Sequence, residues 1–461
     1  MTTIIKIRNG LAINLEGKAE LTLCDSVSYK SEFYAIFPDD FPGFVPKICV
    51  KPGDRVLAGT ALMYDKNRPE IKLTSPVSGT IELVNRGEKR KLLNVIIKAD
   101  KENEYLNFGE KDLKSMTPEE IKSLLAETGI FAFIRQRPYA VIANPKDIPR
   151  DIFVTGFCSA PLAPDFEIQL NNAGESDAFQ TGLTVLAMLT SGKVYLGICN
   201  TAKLPCLKEA KNVEIVTFEG PHPAGNVSVQ LNHIKPVNKG EIVWTMNASD
   251  VSFIGRLFLH EKVVLDRLVA LTGSEVPKND RTYYHSTVGV CLEDMVKNCT
   301  EQSQKHLRYT SGNVLTGTQI PSNGFLHAFD NQVTVIPEGD ETHDFLGWIT
   351  PGFDKFSMNR SFPAFIVQAL TKKAYKMDAR IKGGRRAMIM SNEWDKVFPM
   401  DIHPEFLVRA ILSKDIEKME DLGIYEVAPE DFALCEFVDT SKMELQAIVR
   451  QGLDWLYKEL S

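Results

Sequence analysis

The run Phe218-Glu219-Gly220-Pro221-His222-Pro223-Ala224-Gly225-Asn226 follows a strand-like apolar segment, Val213-Glu214-Ile215-Val216-Thr217-Phe218. Positions 220–225 hold two prolines, two glycines and a histidine. Proline fixes φ and removes a backbone donor, whereas glycine admits φ > 0 or close backbone approach. The stretch predicts a stiff, tightly turned loop at the carboxyl end of a strand. Two readings stay open: a rigid inter-element turn with an exposed histidine, and a ligand or partner contact.

The flanking pattern sets the fold around that loop. Residues 151–156 read as a buried strand. An amphipathic to apolar helix covers 176–190, with Gly192 as its terminator. Residues 193–198 form another strand and 213–218 a third. Strand, helix, strand, short helix, strand is the grammar of a parallel α/β sheet. Ligands of such sheets sit at the carboxyl ends of the strands, and His222 lies just past one. Yet no Gly-x-Gly-x-x-Gly follows any of these strands, and no Gly-x-x-x-x-Gly-Lys-[Ser/Thr] occurs. The devices that cradle a pyrophosphate are missing, so a Rossmann-like sheet here need not bind a dinucleotide.

Upstream, residues 1 to about 100 read as all-β. Val50-x-x-Gly53-x-x-Val56-x-x-Gly59-x-x-Leu62, with Ser75-Pro76-x-x-Gly79-x-Ile81, resembles the biotinyl/lipoyl-type barrel-sandwich hybrid. Carrier domains of that fold modify a lysine at the intervening hairpin, near which Lys66 stands. The hairpin Asp65-Lys66-Asn67-Arg68-Pro69-Glu70 carries a proline and is longer than a carrier's turn, which favours a fold reused as scaffold. Thr117, Pro118 and Glu120 then form a capping box with proline at the first helical position, and Gly129 ends that helix.

Downstream, 253–329 mixes short strands and helices. Ser311-Gly312-Asn313-Val314-Leu315-Thr316-Gly317-Thr318 is a glycine-rich turn. It either receives an anion on backbone N–H groups or is a plain β-turn. Residues 333–336 read as a strand, followed by Phe345-Leu346-Gly347-Trp348-Ile349-Thr350-Pro351-Gly352. Lys382-Gly383-Gly384-Arg385-Arg386 reads as a flexible basic loop, either solvated or facing an acidic partner or lipid headgroups. From about 402 onward the chain is helical, with Leu445, Ile448, Val449, Leu456 and Leu460 as one apolar stripe.

The chain has 461 residues, 44% hydrophobic and 25% charged, with a formal net charge of -7. That suits several globular domains and argues against a nucleic-acid partner, which usually shows as a basic face. No apolar run approaches the roughly 18 to 20 residues that span a bilayer. The N-terminus lacks a signal-peptide pattern, so the protein is expected to stay in the cytoplasm. The eight cysteines form no CxxC pair, and are expected to be free, mainly buried thiols. Nothing supports a metal site. His260-Glu261 lacks the second zincin histidine, and no Gly-x-Ser-x-Gly elbow is present. The residues alone describe enzyme-like folds without enzyme-like motifs.

Several anchors, spread in order along nearly all of the chain, resemble one family. They are Lys72-Leu73-Thr74-Ser75-Pro76 with Val84-Asn85-Arg86-Gly87-Glu88-Lys89-Arg90, then Arg135-Gln136-Arg137-Pro138-Tyr139, then 218–225. Asp266-Arg267 before Leu271-Thr272-Gly273, the 312–318 turn, Gly347-Trp348 with Pro351-Gly352, and Pro399-Met400-Asp401 follow. Together they are similar to the A component of the sodium-translocating NADH:quinone oxidoreductase (Na+-NQR). That family is related to the C component of Rnf complexes and to the flavin subunit of complex I.

The resemblance implies a mixed α+β and α/β multi-domain chain. Residues 1–100 would form the barrel-sandwich hybrid and 101–252 a Rossmann-like α/β domain. Residues 253–332 would form an SLBB-like β-grasp domain, and 333–461 a mostly helical C-terminal domain.

It also implies a peripheral subunit, without a transmembrane helix, on the cytoplasmic face of the bacterial inner membrane. The complex is a translocase that passes electrons from NADH to ubiquinone or menaquinone and exports sodium ions. Its NADH, FAD, FMN, riboflavin and iron–sulfur sites would lie in the partner components, B to F. This chain would dock chiefly on the membrane-embedded B component, bind no redox cofactor and be inactive alone. Where related subunits carry a glycine-rich flavin loop, this chain has Thr128-Gly129-Ile130-Phe131-Ala132-Phe133-Ile134-Arg135. A quinone contact is expected at His222, Gly220 and Gly225, the imidazole hydrogen-bonding a quinone oxygen. The rivals are the C component of an Rnf-type ferredoxin oxidoreductase, a free-standing biotin or lipoyl carrier, and a soluble NAD-dependent dehydrogenase.

Overall fold

A computed structural model describes residues 3–24, 29–303, 305–341, 352–353, 355–371 and 373–460. The first strand, β1 (Thr3–Lys6), does not join the barrel. It pairs in parallel far along the chain, with Thr3 opposite Val216 and Lys6 opposite Glu219. The expected 1–100 unit therefore gives its first strand to another sheet.

The barrel itself follows. Its strands are β2 (Phe33–Ile36), β3 (Pro46–Ile48), β4 (Arg55–Val56), β5 (Ala61–Asp65), β6 (Lys72–Thr74), β7 (Gly79–Arg86) and β8 (Leu92–Ala99). They make a four-stranded sheet, β2-β8-β7-β4, and a three-stranded one, β3-β5-β6. Leu62, Met63, Ile71, Val95 and Ile97 are fully buried in the shared core.

The hairpin between β5 and β6 is the place of Lys66. Asp65 is fully buried, and accepts from Arg68 Nε at 2.8 Å, Asn67 N at 3.1 Å and Val45 N at 3.2 Å. Arg68 then donates to the carbonyls of Ile142 (3.1 Å), Ala143 (3.3 Å) and Gly43 (3.1 Å). Lys66 N donates to Val45 O at 2.8 Å. A carrier lysine must swing between sites, whereas this hairpin is clamped to the neighbouring domain.

The second unit starts at α1 (Pro118–Glu127), closed by the expected box: Glu120 N donates to Thr117 Oγ1 and Thr117 N to Glu120 Oε2. Next come β9 (Arg135–Arg137), β10 (Val141–Ile142), β11 (Ile152–Thr155), α2 (Phe166–Leu170), α3 (Glu175–Met188) and β12 (Val194–Cys199). The unit continues through α4 (Pro205–Lys208), β13 (Glu214–Glu219), α5 (Val227–Ile234), β14 (Val243–Asn247) and α6 (Ala248–His260). The seven-stranded sheet has the order β1-β13-β12-β11-β14-β9-β10. It is parallel from β1 to β14, with β9 and β10 antiparallel at the far edge.

Helices α3 and α6 touch backbone to backbone. A Cβ at Gly255 would lie 1.7 Å from Ala178 O, and one at Gly182 2.3 Å from Val251 O. The expected boundary at 252/253 is corrected by this packing, because it would cut α6 in the middle of that contact. A Gly255→Ala chain is expected to lose on the order of 3 kcal/mol through forced separation of the helices, read as a lowered denaturation midpoint.

The third sheet uses β15 (Asp266–Thr272), β16 (Tyr283–Thr287), β17 (Leu307–Ser311), β18 (Thr318–Ile320) and β19 (Gln332–Pro337), with the short helix α7 (Lys297–Gln302) between β16 and β17. Its order is β16-β15-β19-β17-β18, and β15 pairs with β19 in parallel. The expected boundary at 332/333 is likewise corrected, because β19 is the central strand of this sheet. In the 312–318 turn, Leu315 N and Thr316 N donate to Asn313 Oδ1, and Gly317 N donates to Asn313 O. Those N–H groups are spent internally, which removes the anion reading.

The C-terminal part holds α8 (Ala364–Thr371), α9 (Pro404–Ser413), α10 (Ile416–Asp421), α11 (Ala433–Val438) and α12 (Leu445–Leu460). Leu445, Val449, Leu453 and Leu456 of α12 are fully buried, in one core with Phe218, Val229 and Val243 of the α/β unit. Leu460, expected in the stripe, is instead exposed. The 382–386 loop is tethered rather than free: Arg385 pairs with Glu444, and Arg386 N donates to Ser441 O. Of 345–352, all but Gly352 lie outside the described residues. Three of the eight cysteines, Cys291, Cys299 and Cys435, are buried, so the thiols are less buried than expected. Among the described residues no helix is long and apolar enough to cross a membrane.

Candidate functional site

The loop 218–226 runs from the carboxyl end of β13 to the start of α5. Its geometry is fixed from three sides. Ile7 N donates to Glu219 O at 2.8 Å and Leu11 N to His222 O at 2.9 Å, so the N-terminal segment laces the loop along one edge. Ser159, just beyond β11, supplies the second side. Its Oγ accepts from Gly225 N at 2.8 Å and lies 3.0 Å from His222 Nδ1. Thr155 Oγ1 donates to Gly225 O at 2.9 Å.

The third side is the C-terminal part. Asn226 Nδ2 donates to Asp431 Oδ1 at 3.0 Å. Behind it, the fully buried Arg137 donates to Ser228 Oγ at 3.1 Å and stands 3.6 Å from Glu430. Burial pushes the Asp431 carboxyl above its usual range, with the Glu430 carboxylate adding to the effect.

The two glycines of the expected site are explained by close approach. A Cβ at Gly220 would meet Ile7 O at 2.4 Å, and one at Gly225 would meet Ser159 N at 2.7 Å. His222 is not exposed, contrary to the turn reading; it is 6% accessible. Burial lowers its pKa to about 4, so the ring is neutral at pH 7. Its Nε2 is buried and, among the described residues, has no hydrogen-bond partner. The Ser159 hydroxyl has Gly225 N–H as a donor to it, and Nδ1 is the acceptor within its reach. The tautomer in which Ser159 donates to Nδ1 carries its proton on Nε2, and in that tautomer Nε2 is a donor suited to a carbonyl oxygen that reaches it. A cavity of about 700 Å³ lies elsewhere, between the N-terminal segment, the third sheet and the C-terminal part. It is lined by Ile13, Arg308, Phe356, Tyr375 and Lys442, and by none of the three expected site residues.

The segment 128–135 is a second place of interest. Ile130, Phe131 and Ala132 are fully buried and Phe133 nearly so. Phe131 packs edge-on against Trp244, and Phe133 against Phe41 and Phe253. The Arg135 guanidinium lies 3.9 Å from the centre of the Phe329 ring. Aromatic rings fill this turn from three domains. Ser159 and Asp431, the partners that hold the His222 loop, carry no motif and stand far from it in sequence, so nothing in the linear pattern announces them.

The chain is 34% identical over 459 residues to the A component of the Na(+)-translocating NADH-quinone reductase of Histophilus somni (strain 2336), covering 99% of this chain and 100% of that one. The chain belongs to the NqrA family. Family models match in three places: the NqrA N-terminal barrel-sandwich hybrid domain over 5–100, the NqrA second alpha/beta domain over 116–263, and the NQRA C-terminal domain over 268–322. The corresponding components of Yersinia pestis bv. Antiqua (strain Angola) and Vibrio campbellii (strain ATCC BAA-1116) are each 33% identical, again over 99% of this chain and 100% of theirs. The NqrA assignment accounts for the barrel, the Rossmann-like sheet and the β-grasp sheet together. Among solved structures, an NAD+-reducing [NiFe]-hydrogenase in the air-oxidized state aligns at a TM-score of 0.37 and 12% identity, over 75% of this chain and 68% of that one. That likeness is too slight to carry an argument.

Proposed function

We propose that this NqrA-family chain is the peripheral A component of a sodium-exporting NADH:quinone oxidoreductase, working at the cytoplasmic face of the bacterial inner membrane. It docks on the membrane-embedded B component and supports the quinone-reducing end of the assembly. It holds no flavin or iron–sulfur centre of its own, and the isolated chain does not turn over. The observation that carries this reading is the aromatic filling of 130–133, the place where the resemblance would put a glycine-rich flavin loop. A phosphate needs exposed backbone N–H groups and room for close approach, and here side chains occupy that room. The clamped hairpin at Asp65 and Arg68 supports the same idea of a redox-type scaffold used for assembly.

Affinity purification of tagged protein from membranes, with identification of the co-purifying chains, tests the docking. A sodium-stimulated quinone reductase assay on the purified material tests the activity. A colourless isolated chain with no extractable flavin is expected. A stoichiometric flavin or iron–sulfur centre in it would overturn the reading.

The quinone contact at His222, flanked by Gly220 and Gly225, is the finer part of the proposal. The Nε2 donor suits a quinone carbonyl, and the loop must open for that oxygen to arrive. In the assembled complex, His222→Ala is expected to raise the quinone KM about tenfold, the value of one lost hydrogen bond of roughly 1.4 kcal/mol. Unchanged KM and turnover would leave His222 as part of the turn alone.

A further inference from the structure

Residues 353–390 carry nine basic and two acidic side chains, in a chain whose net charge is -7. The same segment exposes large apolar side chains. Phe353 is 72% accessible, Ile366 49% and Leu370 80%. Ile366 and Leu370 are four residues apart in α8, so they stack on one face of that helix. Ala364, at the start of α8, is buried in the core, so the helix is anchored, while among the described residues nothing covers the outer face that carries Ile366 and Leu370. Phe365 is also partly exposed, with the Arg360 guanidinium 5.7 Å from its ring centre. Lys373 follows two residues after the helix ends. Arg360 and Lys373 are both exposed, and among the described residues neither makes an ion pair.

We infer that α8 and its flanks form a lipid-contacting face that lies on an anionic bilayer surface. This rests on the reading of the chain as a peripheral member of a membrane complex. The chemistry that recognises such a surface is a short apolar face set among cations. A patch made only of apolar side chains would fit any protein partner. Within the segment, Lys376, Arg380, Lys382 and Arg385 are held in ion pairs with Glu275, Asp378 and Glu444, which leaves Arg360 and Lys373, beside the apolar face of α8, to meet an anionic surface. An anionic surface therefore attracts this segment and repels the remainder, which orients the molecule as well as holding it. The apolar side chains then enter the headgroup region beside Arg360 and Lys373.

The test is co-sedimentation of the full-length chain with vesicles of pure phosphatidylcholine and of phosphatidylcholine with phosphatidylglycerol. Binding to the phosphatidylglycerol vesicles is expected, with loss at high salt. Removing either cation, as Arg360→Gln or Lys373→Gln, is expected to weaken the partition about fivefold. Ile366→Ser with Leu370→Ser is expected to weaken it about tenfold or more. The replaced side chains are exposed, and an unchanged melting temperature checks that the variants are folded. Equal binding to both vesicle types, or variants that bind like the parent, would overturn the inference.

A second measurement separates this failure from that of the functional reading. If the Ile366→Ser, Leu370→Ser chain binds vesicles normally but no longer co-purifies with membrane-embedded partners, α8 meets a protein and the lipid inference is wrong. If no chain co-purifies with the parent protein, the functional reading itself fails.

Discussion

Arg68→Ala is expected to lower stability by about 3–5 kcal/mol. The reason lies in what is left behind. Asp65 is fully buried, and among the described residues Arg68 is its only cation. The arginine side chain keeps 12% of its surface, so solvent screens the pair little. Truncation strands a carboxylate that retains only the Val45 and Asn67 N–H groups. It also frees the carbonyls of Gly43, Ile142 and Ala143 from their donor. Two of these carbonyls belong to the α/β unit and one to the barrel, so the loss falls on the seam between them.

The expected signature is therefore specific. The barrel should unfold in an earlier, separate transition in guanidinium, because cooperativity across a multi-domain chain fails where its interface is weakened. Arg68→Lys should recover little, since one ammonium cannot reach three carbonyls and a carboxylate in the way a planar fork does. Asp65→Asn with Arg68→Ala should recover part of the loss, because it removes the stranded charge. An unchanged midpoint for Arg68→Ala would mean that the clamp contributes nothing to stability.

The same hairpin shows how far the sequence can be read. Its proline and its length argue against a carrier turn, and both are local signals. The purpose of the length is not visible there, since two of the three carbonyls that Arg68 engages lie some seventy residues ahead. The central strands are legible because β11, β12 and β13 are short apolar runs bounded by turn residues. The β1 strand looks like the start of the barrel, and only its pairing with β13 assigns it elsewhere. Domain boundaries fail for a related reason. At 252 and 332 the chain runs on in regular structure, and nothing local marks the change of neighbours. The buried state of His222 is hidden in the same way, because its cover comes from Ser159 and from the N-terminal segment.

That burial leads to the second large effect, on acid stability. His222 has an ordinary pKa of 6.5 and a folded value of about 4. Between those values the unfolded chain binds a proton at this site and the folded chain does not. Stability then rises with pH, because the unfolded state is the one that binds more protons. The contribution is fully present above 6.5, falls as pH drops below it, and is gone near 4. The total is about 3 kcal/mol at roughly 1.4 kcal/mol per unit.

Asp431 works against it in the parent chain. Its pKa is held above the usual carboxylate range by burial, so the folded state takes up a proton there before the unfolded state does. Acid therefore favours folding at Asp431 while opposing it at His222, and the parent curve partly hides both. The difference between variants exposes the two contributions. His222→Asn keeps an acceptor for the Ser159 hydroxyl and removes the titration. Its stability relative to the parent should improve by about 3 kcal/mol between pH 7 and pH 4. Asp431→Asn should move the opposite way over the same window. A His222→Asn curve parallel to the parent across that range would mean that the imidazole is already solvated in the folded chain, with the loop open rather than sealed.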